Sequence, residues 1–490
     1  MECSHWLSLL DRLMHTPPHT LFQKIYRENL GLPPTKGQEE LISRLTTFLW
    51  EEERDSVFVL TGYAGTGKTT MVSALVKSLP SANRHAILLA PTGRAAKVLG
   101  TYSEKEAFTI HKYIYFAHTT PNGNLILNLA QNKHRNALFI IDEASMIPDH
   151  SPGPDGSSFS SKNILDDLMA YVFSGFKCKL LLLGDEAQLP PVGLTLSPAL
   201  NMKNLTSRYP YHFQQFTLTE VVRQQLTSGI LAHATTIRQR LTEAQYHLPL
   251  FGETHYPDFI RIDGSELQDA LEEAYSYHNE EHAVVVTRSN KRANLFNQEI
   301  RKRILFREGI INAGDLLMVT RNNYFWMPEE AETRFIANGD LIEILRIKKI
   351  EVRWGFQFAD VEIRFPHFRK EQHIETKILL DTLTCEGPAL PRKEMERLWY
   401  AIMEEQMELS SKAERIKKTR NSAWFNALQV KFAYAITCHK TQGGQWDTVF
   451  IDQGFMREPP DKEWFRWIYT AITRAMKRVY LVNFREDFWY

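Results

Sequence analysis

Cysteine is scarce. The four in 490 residues, Cys3, Cys178, Cys385 and Cys438, lie far apart with no paired spacing, which excludes a disulfide framework or a cysteine-based zinc finger and fits a reducing compartment. An excess of charge is lacking too. Lys+Arg and Asp+Glu both number 58, a formal net charge of +0, so there is no polybasic tail or supercharged surface, and any anion-binding surface must be local. No stretch approaches the roughly 18 uninterrupted apolar residues of a membrane span. The only short apolar run near the N-terminus, Trp6 to Leu10, sits beside acidic and aromatic residues, so neither a signal peptide nor a membrane span is expected and the chain reads as cytoplasmic. The absence of a fixed-period repeat excludes a solenoid.

What is present is enough chain, 43% hydrophobic, for about three to four domains at roughly 100–200 residues each. Residues 4–32 read as a short helical prelude broken at Pro17-Pro18 and Pro33-Pro34. Thr35 and Gln38 then have the spacing of a helix capping box, and Leu41, Leu45 and Leu49 mark one apolar helical face. Short apolar runs alternate with amphipathic helices after that: Val57–Leu60, Ala86–Ala90, Leu138–Ile141 and Leu180–Leu183. Each ends in a polar or glycine turn, the pattern of buried parallel strands in an α/β fold. Ser151 to Ser158 has the composition of a surface insertion. A second α/β pattern begins at Ala283–Thr287, gives way to more alternating, strand-like character from about Asp340 to Leu383, and resumes at Phe432–Thr437, Thr448–Ile451 and Val479–Val482. Between Leu390 and Asn421 the chain is rich in Glu, Lys and Arg, as a solvated helix would be.

Gly62-Tyr-Ala64-Gly65-Thr66-Gly67-Lys68-Thr69-Thr70 follows an apolar strand and precedes the helical run Met71–Leu79, the context a phosphate-binding loop requires. Its glycines let backbone N–H groups converge on a β-phosphate, Lys68 neutralises β and γ oxygens, and the Thr69 hydroxyl suits Mg²⁺. A glycine-rich turn with a capping threonine would leave the lysine unexplained. A second strand ends in Asp142-Glu143. One carboxylate there can hold Mg²⁺ while the next polarises the attacking water, making Asp142 the metal residue and Glu143 the general base. ATP and Mg²⁺ are the expected cofactors.

A third strand ends in Gly184-Asp185-Glu186-Ala187-Gln188-Leu189-Pro190-Pro191, and with it the pattern resembles superfamily 1 helicases. The resemblance implies two tandem RecA-like domains with ATP between them and single-stranded nucleic acid across their top. The further motifs stand in family order: Gln38 as an adenine-reading glutamine, Thr92-Gly-Arg94 and His111-Lys112 as strand-contacting segments, and Leu218 to Gln224 with Arg223 at the domain boundary. Tyr434 to Gly443, with Thr437, His439 and Lys440, and Tyr469 to Ala475, with Arg474, complete the series. Their wording is closest to the 5′-to-3′ class that includes RecD, Dda and the Pif helicases; Gln445 stands where RecD relatives often carry glutamate. The resemblance implies that Gln188 senses the γ-phosphate while Arg223 and Arg474 reach across the cleft. It also implies nucleotide contact at Gly443, a small β-barrel in the second domain, and a strand-separating pin in the first. For the pin, the β-prone runs around Pro121-Asn122-Gly123 independently signal a hairpin.

The expected division is a helical extension over 1–36, a first RecA-like domain over 37–225 with a hairpin insertion at 113–128, linking helices and the start of the second domain over 226–339, an inserted β domain and charged helix over 340–425, and the remainder over 426–490. The expected function is an ATP-dependent DNA helicase moving on single-stranded DNA and splitting duplex junctions, alone or with repair or replication proteins in the nucleoid. A helicase subunit of an exonuclease complex, or a nucleic-acid-stimulated ATPase acting on RNA or nucleoprotein, are the alternatives.

Overall fold

The computed structural model describes residues 17–51, 55–119, 125–149, 163–220, 228–252, 256–278, 280–327, 335–366, 373–387, 389–409, 411–456 and 458–490. Its first sheet has six strands in the order Ala107–Thr109, His85–Ala90, Ala137–Ile141, Lys179–Gly184, Ser56–Gly62 and His212–Leu218. All neighbours are parallel. The central strands carry apolar residues on both faces because helices cover both. On one face pack Pro18–Leu30, Lys36–Trp50 and Lys68–Ser78, with Phe22, Leu45 and Leu75 in the core. On the other pack Ile164–Phe173 and Met202–Arg208, through Leu165, Leu168 and Leu205.

The N-terminal helix belongs to this core. Tyr26 is fully buried and its hydroxyl donates to the Met71 carbonyl at 2.9 Å, so residues 18–30 buttress the helix that follows the phosphate loop.

The second sheet is also wholly parallel, ordered Ala435–Thr437, Ala283–Thr287, Trp446–Asp452, Ala475–Val482 and Phe259–Ile262. Between its segments lies a closed five-stranded barrel of Leu316–Val319, Leu341–Arg353, Phe356–Arg364, His373–Leu379 and Leu428–Phe432. The barrel takes its first and last strands from outside residues 340–425. The run Phe432–Thr437, read as one strand, is divided: its start ends a barrel strand and its end, Ala435–Thr437, joins the sheet. The charged stretch forms two helices, Arg392–Glu404 and Lys412–Arg420. The first is not simply solvated, since Leu398 and Ile402 bury against Phe356 and Phe358 of the barrel.

The hairpin exists as the pair Tyr115–Thr119 and Leu125–Leu129, antiparallel with Tyr115 opposite Leu129; its turn, 120–124, and the insertion at 151–158 lie outside the described residues. Among the described residues no helix is long and apolar enough to cross a membrane.

Candidate nucleotide site and nucleic-acid interface

Strand Ser56–Gly62 is buried at every position, and its carboxyl end delivers the glycine-rich loop to the open edge of the sheet, where ligands bind in such folds. Gly65 and Gly67 have φ of +77° and +82°, a region that side chains disfavour, and Gly67 caps helix Lys68–Ser78. A Cβ on Gly62 would stand 3.0 Å from Thr66 Oγ1 and 3.1 Å from Lys68 Cδ, a tight approach that a side chain there would make Thr66 and Lys68 yield to. The Lys68 ammonium lies across the loop and donates to the carbonyls of Gly62 and Tyr63. Thr66 is buried, its hydroxyl donating to the Tyr63 carbonyl at 2.9 Å. Thr69 and Thr70 occupy the helix's exposed first turn. The Gln38 amide accepts from Thr35 N at 3.0 Å, completing the capping box, and donates to the Thr66 carbonyl at 3.4 Å. Gln38 therefore sits against the back of the loop.

Asp142 and Glu143 follow strand Ala137–Ile141. Burial, reinforced by the neighbouring Glu143 carboxylate, pushes Asp142 up to about 6. Glu143 takes a left-handed backbone, φ +50°, which costs about 1–3 kcal/mol in a non-glycine residue and is found at sites where an unusual aim is needed. Its carboxylate meets Arg474 of the second domain at 3.3 Å. Gln188 closes the triangle. With its amide oriented to satisfy both neighbours, it donates to Glu143 Oε2 at 3.2 Å and accepts from Arg474 Nη2 at 3.1 Å. Arg474 is 5% exposed and its Nε donates to the Thr470 carbonyl at 3.1 Å. Three residues expected to act together are thus in mutual contact across the two domains. Arg223 lies outside the described residues.

The sequence reading assigned no role to the rest of this cross-domain contact. Tyr469, 1% exposed, accepts from Ala64 N at 2.9 Å and donates to Asp185 Oδ2 at 2.7 Å. Burial pushes its phenol pKa upward, so it stays a donor. Thr470 accepts from Leu189 N at 2.9 Å, and Gln442 donates to the Leu189 carbonyl at 2.6 Å. Tyr469, Thr470 and Gln442 stand inside recognised motifs, but spacing does not say that they bond across a cleft. Among the described residues no three His, Cys, Asp or Glu side chains form a metal cluster. One carboxylate, Asp142, and one hydroxyl, Thr69, make a hard-oxygen set that fits Mg²⁺ carried largely by phosphate oxygens.

Thr92 and His111 follow adjacent strands whose ends pair at Ala90 and Thr109; Thr437 ends a strand of the second sheet, opposite Thr287. Thr92 caps helix Gly93–Ser103, accepting from Ala95 N at 3.2 Å. Lys112 N donates to the Thr109 hydroxyl at 3.2 Å, and the Lys112 ammonium lies 4.8 Å from the Phe108 ring centre. Burial lowers His111 to about 4, lowers His439, and lowers Lys440 to about 8, the last aided by nearby Lys431. The histidines are therefore neutral, hydrogen-bonding rather than charged, at pH 7.

Two further expected residues, Arg94 and Gly443, stand at one junction between the domains. Arg94 lies 3.5 Å from the Trp446 ring centre and donates to the Gln445 carbonyl at 3.0 Å; burial lowers it to about 9. Its guanidinium joins the two domains, where an aromatic face and a carbonyl are offered. Gly443, φ +71°, faces the same junction: a Cβ on it would stand 2.5 Å from Ala95 Cβ. It is placed by close approach to the first domain, and no nucleotide contact is needed to explain a glycine there.

Residues 34–248 match the AAA domain family and residues 432–482 the UvrD-like helicase C-terminal domain. The uncharacterised protein R530 of Acanthamoeba polyphaga mimivirus is 24% identical over 90% of this chain and 98% of its own length. The ATP-dependent DNA helicase Dda of Enterobacteria phage T4 is 25% identical over 64% of this chain and 67% of its own. The ATP-dependent RecD2 DNA helicase of Deinococcus radiodurans is 30% identical over 46% of this chain; the match spans 27% of that longer protein.

Proposed function

We propose, from the premise that this chain belongs to the superfamily 1 helicases of the RecD/Dda/Pif-like class, that it is an ATP-dependent DNA helicase that moves 5′ to 3′ on single-stranded DNA and opens duplex junctions. The observation that carries the reading is the triangle of Glu143, Gln188 and Arg474, which joins the strand-end carboxylate of one domain to a buried guanidinium of the other. Such an arrangement makes hydrolysis depend on how the two domains sit, which is what a motor needs.

Each residue has a task on this reading. The loop N–H groups of Gly65 to Thr69 and the Lys68 ammonium cradle the phosphates, and Gln38 borders the adenine end. Asp142 and Thr69 would hold Mg²⁺, which neutralises phosphate charge when bound. Glu143 takes the proton of the attacking water. Gln188 orients that water and Arg474, with Arg223, supports the charge that builds on the transferred phosphoryl group, a contribution worth about 10³–10⁵ in rate for such arginines. Thr92, His111, Lys112, Thr437, His439 and Lys440, at the strand ends of both sheets, form the track for the phosphodiester backbone. Because the track and the catalytic residues share strands, strand binding biases the cleft. Duplex splitting falls to the hairpin 115–129. The site of work is nucleoid DNA, in replication, recombination or repair, alone or beside other proteins of those processes.

The test is ATP hydrolysis with and without single-stranded oligonucleotides of DNA and RNA. Strong stimulation by DNA, abolished by Lys68→Ala and Glu143→Gln, is the expected outcome. Equal rates with and without any oligonucleotide would overturn the reading.

A further inference from the structure

Behind the catalytic triangle lies a cavity of about 290 Å³, lined among others by Ser145, Gln188, Ser197, Asn201, Lys203 and Arg466. At roughly 30 Å³ per water it holds on the order of ten waters, ample for a tetrahedral oxyanion. Its position is informative. Gln38 and its helix Lys36–Trp50 pack on one face of the first sheet, whereas Leu200, which lines the cavity, packs on the opposite face. Gln188 is shared: its amide bonds Glu143 and Arg474, and its side chain also lines the cavity. The cavity therefore begins where a γ-phosphate would end, away from the adenine side.

Its lining has hydrogen-bonding capacity that the protein does not use. Ser145 is 1% exposed, and the Ser145 and Ser197 hydroxyls are buried without a partner among the described residues. An orphaned buried hydroxyl costs about 1–3 kcal/mol, a reason to look for what it serves. Arg466, from helix Lys462–Ile472 of the second domain, gives one hydrogen bond, 2.7 Å to the Thr195 carbonyl. Burial lowers its pKa, against the attraction of nearby Tyr246 and Glu186. Two acids share the lining. Asp185 is already engaged by Tyr469 and Ala187 N, and Glu186 is shifted upward by burial and by Asp185. The lining thus sets cations and hydroxyls beside carboxylates, and a path for an anion needs such a balance if the anion is to pass and not be held.

We infer that this cavity is the exit route for inorganic phosphate, separate from the route by which the nucleotide enters and leaves. The inference rests on the ATPase reading above. In that reaction the water oxygen bonds to the γ-phosphorus, the bond to the β–γ bridging oxygen breaks, and ATP⁴⁻ and H₂O become ADP³⁻, HPO₄²⁻ and H⁺. HPO₄²⁻ then passes Gln188 toward Ser145, Ser197 and Arg466 while ADP remains in the loop. Arg466 and Arg474 lie on one continuous segment, Lys462 to Arg474, so the domain movement that withdraws Arg474 from Glu143 also moves the cation of the exit.

The experiment compares the wild-type chain with Ser197→Leu, which fills the cavity, and Leu196→Trp, which blocks its mouth at a residue 52% exposed and therefore tolerant of change. On DNA-bound protein, rapid quench measures cleavage and a fluorescent phosphate-binding protein measures release. Cleavage within about twofold of wild type with release on the order of tenfold slower is expected. In H₂¹⁸O, the retained phosphate re-forms ATP before leaving, so released phosphate should carry more than one water oxygen. Release coincident with cleavage in both variants, without extra ¹⁸O, would overturn the exit route while leaving the ATPase reading intact. Failure of the wild-type chain to hydrolyse ATP would overturn the ATPase reading itself.

Discussion

Tyr469→Phe isolates the bond that ties the two domains at the phosphate loop. Phenylalanine fills the same buried space, so the substitution removes one oxygen and opens no cavity. What is lost is the 2.7 Å bond to the Asp185 carboxylate and the 2.9 Å bond from Ala64 N. The first is a hydrogen bond to a charged acceptor, worth about 1.5–3 kcal/mol. Asp185 is 2% exposed and keeps Ala187 N, 3.0 Å away, but no longer has the phenol. When the cleft opens, water can reach both groups, so the penalty falls on the engaged arrangement and not on either domain's own core. At about 1.4 kcal/mol per tenfold, engagement becomes about 10- to 100-fold less favourable. The assay is steady-state ATP hydrolysis against single-stranded DNA concentration, beside thermal unfolding. DNA-stimulated kcat should fall by about one to two orders of magnitude with the melting temperature nearly unchanged. A kcat within twofold of wild type would refute the reasoning that this bond sets the working geometry.

Further outcomes follow from the same site. Arg474→Lys should preserve charge yet lower kcat by at least about tenfold, since ammonium cannot replace a planar fork bonded to both Glu143 and Gln188; a stopped-flow phosphate assay checks this. Asp142, held near 6 by burial and Glu143, is ionised at pH 7 and takes up a proton as pH falls through about 6, so kcat/KM for MgATP should drop there with a one-proton slope. Lys440 loses its charge as pH rises through about 8; at pH 7, Lys440→Met should reduce the salt slope of single-strand binding by about 0.7, measured by fluorescence anisotropy, and the difference should vanish at higher pH. Replacing residues 115–129 by a Gly-Ser linker should abolish unwinding while DNA-stimulated ATPase survives; unchanged unwinding would make the hairpin an edge cover.

The parts of the molecule readable in sequence are those whose physics is local. The phosphate loop, the strand-end acids and the capping box of Thr35 and Gln38 each follow from a few adjacent residues. Strands Ala107–Thr109, His212–Leu218 and Phe259–Ile262 escaped because they are sheet edges or near-edges, short or half polar, without the apolar run of a central strand. The division of 432–437 between barrel and sheet escaped for a related reason: one continuous apolar run served two partners. The cross-domain bonds of Tyr469, Thr470 and Gln442 depend on how two sheets face each other, which no periodicity carries. Arg94 shows the same limit. A basic residue in a strand-contacting motif reads as a phosphate ligand until Trp446, some 350 positions away, is seen beneath it.

Unwinding of duplexes with single-stranded overhangs, followed in real time with ATP and Mg²⁺, tests the central claim most directly. Opening from a 5′ overhang, absent without ATP and absent in Glu143→Gln, is the predicted result; opening only from a 3′ overhang, or equal opening by Glu143→Gln, would contradict it.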